Sequence, residues 1–463
     1  MAKKFFVTTP IYYVNDVPHV GHAYATFAAD ILARYHRQKG EDVFFLTGTD
    51  ENSQKTVQAA EKTGKEIQAY ADETAKIWQT TWKKLGISND YFIRTTQERH
   101  KKLVTEIFTK INEAGDIYKG KYVGLYCVGH EAFVKEEDLD EKGECPDHKK
   151  KPDKITEENY FFKLSKYQDK LLTYFKEHPD FIEPRERYNE VVSFVKGGLQ
   201  DISITRATQK WGIPAPVDEK HVVYVWFDAL INYISADPSK WPANLHIIGK
   251  DILRFHAVIW PAMLLSAGYE LPKKIFAHGF FTVNGEKISK SLGNAIDPVK
   301  IADEYGVGTL RYYLFKEIPF GNDGDFSFER LKEVYNSDLA NGLGNLVARV
   351  AKLAEKLNLE FNIHIDKQHN NPNYYEALEN LNFQRALEII WHYYRELDKK
   401  IEERKPWEIK DEKKLHGFLT EIITEILKTN ELLKPFLPQT AKAVEEQFLQ
   451  RKITSSAPLF PRK

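Results

Sequence analysis

With 463 residues, 42% hydrophobic and 29% charged, the chain has material for more than one core, and about two to four domains are expected. A net charge of −1 says little about partners, because a local basic stripe suffices to bind nucleic acid. Two cysteines in all, Cys127 and Cys145, exclude a disulfide framework; no apolar run approaches about eighteen residues and no signal-peptide core is visible, so a cytoplasmic protein is expected.

Residues 1–115 alternate like an α/β domain. "KFFVTT" reads as a buried strand ending near Thr9, "AYATFAADILARYHRQKG" as a helix closed by Gly40, and "DVFFLTGTD" as a second strand, with helices following to about Lys110. Such alternation predicts a parallel sheet with right-handed crossovers. Ligands of such sheets bind beyond the strands' carboxyl ends, where "TTPIYYVNDVPHVGH" and "TGTDENS" fall.

Over residues 116–220 the pattern breaks into short strand-like runs ("KYVGLYCV", "NYFFKLS", "DISITR"), charged loops and two modest helices, so this stretch reads as an insertion. The α/β pattern resumes over residues 221–278 with "HVVYVWF", "ANLHIIG", the helix "DILRFHAVIWPAMLLSAG" and "KIFAHGFFTV". A lysine-bearing loop opens residues 279–326. Residues 327–463 carry apolar residues at three- and four-residue spacing and predict a helical bundle. The fold expected is α/β, a Rossmann-like parallel-sheet domain carrying an insertion and followed by an all-α bundle.

Three constellations could carry chemistry. In "PHVGH", His19 and His22 sit where a helix begins, beside Gly21, which lets a ligand approach the backbone. Taken alone, an H-x-x-H pair is more often two core side chains with satisfied hydrogen bonds, and metal ligation is the weaker alternative because the nearest carboxylate, Asp16, falls across the turn. In "GFFTVNGEKISKSLGN", Lys287 and Lys290 with two serines offer mobile cations to a polyphosphate, although such a loop is also an ordinary solvated surface. In "YCVGHEAF" and "GECPDHKKKP", Cys127 with His130 and Cys145 with His148 form two knuckle-like pairs with the spacing of a structural zinc site. Tetrahedral Zn²⁺ on these four residues would fold a loop with little core of its own.

"PHVGH" after the first strand and "KISKS" after the last of the resumed pattern resemble the HIGH and KMSKS signatures of class I aminoacyl-tRNA synthetases. "PIYYVNDVPHVGH", "VYVWFDALINYIS", "GKDILRFHAVIWPAMLL" and "FFTVNGEKISKSLGN" are similar to methionyl-tRNA synthetases, and the resemblance covers essentially the whole chain.

That resemblance implies activation of L-methionine by ATP, with Mg²⁺, and transfer to the 3′ end of tRNA(Met). His19, His22, Lys287 and Lys290 would bind the phosphates, and Asp251 the ribose. Asp50 would hold the ammonium. Ile11, Tyr13, Trp226, Ala229, Leu230, Tyr233, Ile252 and His256 would line the side-chain pocket, with Tyr13 and His256 hydrogen-bonding the sulfur. In the helical tail, Asn341, Asn345, Arg349, Pro406 and Trp407 would read the anticodon, while residues 279–326 would hold the lysine loop and a stem-contact region. Three departures stand out: "TDENS" where relatives often read "TDEHG", Leu230 at a variable position, and His130 where many relatives have cysteine. No C-terminal β-barrel of the dimerising kind is visible, so a monomer is expected.

Two other classes compete. A class I synthetase for another amino acid would usually carry a larger editing insertion, or zinc in the amino-acid pocket. An RNA-binding module descended from a synthetase would typically lose the signature histidines or lysines, and all four are present.

Overall fold

The computed structural model describes residues 2–127, 132–134, 136–146, 149–283, 285–287, 296–365 and 371–463; at 122, 123, 132, 133, 137, 155–157, 286 and 287 it describes the backbone alone. His130, His148 and Lys290 therefore lie outside the described residues, as does the Lys287 side chain. The chain divides into two compact units, Met1–Pro18 with Glu41–Ala277, and His19–Gly40 with His278–Lys463.

The first unit is built on a six-stranded sheet of β1 (Lys4–Tyr13), β2 (Asp42–Asp50), β3 (Tyr91–Arg94), β4 (Ile182–Glu183), β5 (Leu245–Gly249) and β6 (Ile275–His278), in the order β3-β2-β1-β5-β6-β4. The pairs β1–β2, β2–β3, β1–β5 and β4–β6 are parallel, as the strand–helix alternation predicts. Gly48 permits the β2–β3 contact, because a Cβ there would fall 2.1 Å from the carbonyl oxygen of Ile93.

Three readings of the sequence need correction. β1 does not end near Thr9 but continues to Tyr13. Its register against β2 shifts between Thr8 and Ile11, with Pro10 in the interval; proline cannot donate to the ladder, and one extra residue there lets pairing resume at Ile11. "HVVYVWF" is not a strand of the parallel sheet. Asp218–Val223 lies in a separate three-stranded sheet, and Val225–Ala229 is helical, an ambiguity that a short apolar run carries by its nature. Finally, β4 falls inside the stretch read as an insertion, yet forms the edge of the parallel sheet. The rest of that stretch includes a four-stranded antiparallel sheet of Ala132–Val134, Ile117–Cys127, Asp153–Phe162 and Ile202–Ser203.

The second unit holds α1 (Val20–Gln38), α2 (Val307–Glu317), α3 (Asn345–Leu357), α4 (Phe383–Arg404) and α5 (Glu412–Leu433), with a small sheet of Phe281–Val283, Glu286–Lys287 and Gly324–Phe326. α1 is fastened within this unit by an ion pair at full burial. Arg311 Nη2 lies 2.7 Å from Asp30 Oδ2, while its Nε donates to the Phe436 carbonyl at 2.6 Å. Tyr35 adds a 2.9 Å hydrogen bond to Glu379, and Gln38 one of 2.9 Å to the Glu431 carbonyl. Among the described residues no helix is long and apolar enough to cross a membrane.

Candidate functional site

The histidine pair caps α1. His19 is the N-cap, and its Nδ1 accepts the Gly21 N–H at 3.1 Å; His22 Nδ1 accepts the His19 N–H at 3.2 Å, closing a reciprocal capping box. Because both Nδ1 atoms accept, each neutral ring carries its proton on Nε2. The rings stack with centroids 3.6 Å apart. Burial lowers His19 to about 4, and burial with repulsion from His19 and His278 holds His22 well below the usual value, so both are uncharged donors at neutral pH.

The lysine loop is anchored on the same helix end. Val20, the first residue of α1, donates its N–H to the Ile296 carbonyl at 2.9 Å, just past the "KISKS" segment. On the other side of the loop, Phe281 packs edge-on against Tyr24 of α1 with centroids 4.6 Å apart. Lys287 ends a strand pairing with Thr282. Described residues on both flanks of the loop, Phe281 and Ile296, thus meet the start of α1 in one unit.

In the first unit the strand ends assemble an aromatic cluster. Tyr13 and Asp50 are register partners at the carboxyl ends of β1 and β2, and Asp50 is only 3% exposed. Trp226 lies edge-on to Tyr13 at 6.3 Å and stacks flat on Phe255 at 4.0 Å. Ala229, Leu230, Tyr233 and His256 are buried, while Ile11, Tyr13, Trp226 and Ile252 are half-buried on the same apolar core. Asp251 lies two residues past the end of β5 and is exposed, in a short turn capped by Gly249.

His256 is fully engaged. Its Nδ1–H donates to the Ile252 carbonyl at 3.0 Å, so Nε2 accepts, and the Tyr233 hydroxyl donates to it at 2.7 Å. Burial lowers this imidazole to about 4. His256 therefore has no N–H left for a thioether sulfur, contrary to the expectation from sequence. Residues that sequence reasoning passed over include Phe255 and His246, whose ring packs 4.2 Å from Tyr233 and whose Nδ1 meets Thr8 at 2.7 Å. Only their adjacency to motif residues could have flagged them. Lys55 Nζ, 4.4 Å from the Tyr13 ring centroid, is another.

Of the expected zinc ligands, Cys127 and Cys145 are described and both are buried. Cys145 sits in a tight turn, its N–H donating to the Lys150 carbonyl and its carbonyl accepting from Lys149. No group of three or more His, Cys, Asp or Glu suited to a metal occurs among the described residues. In the helical tail, Asn341 and Asn345 are exposed, Pro406 is buried and Trp407 is 52% exposed. Arg349 bonds Glu402 at 2.7 Å and lies 5.9 Å from the Trp407 ring centroid, so those two expected residues come together.

The sequence model of the family described as tRNA synthetases class I (M) matches residues 5–154 and 148–351. The chain is 48% identical over 471 residues to the methionine–tRNA ligase of Thermotoga maritima, covering 95% of this chain and 74% of that protein. The chain belongs to the methionine–tRNA ligase family. The family member from Nostoc sp. is 43% identical, over 96% of this chain and 90% of its own length. Among solved structures, Mycobacterium tuberculosis methionyl-tRNA synthetase in complex with methionyl-adenylate superposes with a TM-score of 0.92 at 37% identity, covering 99% of this chain and 100% of that one. Its apo form gives 0.85 at 34% identity, covering 100% and 99%.

Proposed function

We propose that the chain activates L-methionine with ATP, releasing pyrophosphate, and transfers the methionyl group from the adenylate to the 3′ end of tRNA(Met). The observation that carries the reading is the capping geometry of His19 and His22. It fixes both Nε2–H groups as neutral donors at a helix N-terminus, a fit for phosphate oxygens gaining charge during in-line attack. Lys287 and Lys290, on the loop anchored by Ile296, neutralise the departing pyrophosphate. Bound Mg²⁺ would supply further charge neutralisation on the ATP phosphates.

Asp50 holds the methionine ammonium, and Ile11, Tyr13, Trp226, Ala229, Leu230, Tyr233, Ile252 and His256 form the side-chain wall, where sulfur–aromatic contacts favour a thioether by about 0.3–1.5 kcal/mol. Asp251 contacts the ribose. Asn341, Asn345, Arg349, Pro406 and Trp407 read the anticodon, with base stacking on Trp407 contributing about 1–3 kcal/mol. Cys127, His130, Cys145 and His148 hold a structural zinc ion; two buried cysteines outside any disulfide suit that role. We assign residues 1–115 and 221–278 to the catalytic domain together with its edge strand β4, the rest of 116–220 to the zinc-bearing insertion, 279–326 to the lysine loop and stem contact, and 327–463 to anticodon binding, in a cytoplasmic monomer.

The deciding experiment is ATP–pyrophosphate exchange with each of the twenty amino acids. Methionine should dominate, and a dominant signal from any other amino acid would overturn the specificity. Metal analysis of the purified protein should find one zinc per chain.

A further inference from the structure

A second polar cluster, outside the set that the resemblance supplies, lies in the first unit. Asn52 is two residues past Asp50 and 3% exposed; Asp228, between Trp226 and Ala229, and His100 are fully buried. Asn52 Nδ2 donates to Asp228 Oδ2 at 2.8 Å and to the Thr95 carbonyl at 3.3 Å. Asp228 Oδ1 accepts from His100 Nε2 at 2.5 Å, and His100 Nδ1 meets the Ser235 hydroxyl at 2.8 Å. One buried hydrogen-bonded line thus runs from the turn after Asp50 to the end of the short helix Asn232–Ser235, which carries Tyr233.

Two members of the line, Asn52 and Asp228, are tied to candidate binding residues. The Asn52 N–H points at Asp50 Oδ1 at 3.4 Å, and its carbonyl accepts from Gln209 at 3.2 Å, so the Asn52 side-chain bonds set the conformation of the Asp50 turn. The Asp228 N–H donates to the Tyr224 carbonyl and its own carbonyl accepts from Ile231, both at 3.0 Å, which locks the turn displaying Trp226, Ala229 and Leu230. Apolar packing tolerates repacking, whereas a buried carboxylate demands its donors at fixed positions. The spacing between Asp50 and the aromatic wall is therefore set by hydrogen bonds.

We propose that Asp228, oriented by His100 and Ser235 and coupled through Asn52, is a positioning residue that fixes the distance between the ammonium-binding Asp50 and the side-chain pocket. This rests on the methionine-activation reading. A ligand gripped at both ends loses affinity when its two anchors drift by even about 1 Å.

The test is exchange kinetics on the full chain, with KM for methionine and for ATP measured separately. Asp228→Asn, which sets an amide against the Asn52 amide or His100, and Asn52→Leu, which removes the donor, should raise the methionine KM by about 10- to 100-fold while the ATP KM stays within about twofold. Asn52→His restores an N–H donor to Asp228 and should bring the methionine KM back to within about fivefold of the wild type. KM is independent of the fraction of folded protein. If Asp228→Asn and Asn52→Leu do not fold, Ser235→Ala carries the test, with a rise of about 3- to 10-fold in methionine KM supporting the assignment and no change overturning it. Parallel changes in both KM values, or an Asn52→His as impaired as Asn52→Leu, would also overturn it. Absence of methionine-dependent exchange in the wild type would instead remove the activity reading itself.

Discussion

The Tyr233 hydroxyl donates to Nε2 of His256 at 2.7 Å, and this bond, with the one from Nδ1–H to the Ile252 carbonyl, occupies both nitrogens of a buried ring. Tyr233→Phe would leave Nε2 buried without a donor, which costs about 1–3 kcal/mol. Urea denaturation should show a loss of that size, and exchange kinetics a raised methionine KM. Unchanged stability would mean that another group takes over the hydrogen bond.

The same ring makes stability sensitive to acid. His256 titrates at about 4 in the folded protein against an ordinary 6.5, because burial penalises the imidazolium. Between those values the unfolded chain binds a proton that the folded one refuses. Stability is thus complete above about 6.5 and drains as the pH falls toward 4, by up to roughly 3 kcal/mol for this group. His19, His22 and His246 are lowered too and act in the same direction. Unfolding free energies at pH 7.5 and 5 should reveal the decline, and His256→Gln should make it shallower.

His19→Asn separates the two roles of the N-cap. Asparagine caps helices well and its side-chain oxygen accepts the Gly21 N–H, so the melting temperature should hold. The Nε2–H donor is lost, and the exchange kcat should fall by about 10²- to 10³-fold. A drop confined to melting temperature would make the histidine structural.

Trp407→Ala should lower tRNA charging at subsaturating tRNA by about 5- to 100-fold, the equivalent of one lost stacking contact, while ATP–pyrophosphate exchange is retained. The ring is 52% exposed, so its truncation costs little core packing. Equal losses in both assays would argue against an anticodon role.

The sequence made some of this legible and concealed the rest for physical reasons. β2 was readable end to end because "DVFFLTGTD" is a continuous apolar run closed by polar residues. The His19 cap was readable because a helix start follows from local pattern alone. "HVVYVWF" misled because apolar runs do not declare their period. The pairing of Asp228 with His100 was invisible: the two lie 128 residues apart, and one aspartate inside an apolar run gives no sign of its partner. The expected role of His256 toward sulfur failed for a related reason, since Tyr233 and the Ile252 carbonyl claim its nitrogens through three-dimensional proximity.

The discontinuity of the two units has a consequence during synthesis. α1 emerges early from the ribosome, yet the groups that fasten it are made much later: Tyr24 donates to the carbonyl of Ile318, 294 residues downstream. At about 5–20 residues per second, that leaves roughly 15–60 s in which an apolar helix has no finished partner. The nascent chain is therefore expected to expose a chaperone-binding segment at residues 19–40 until α2 has left the exit tunnel.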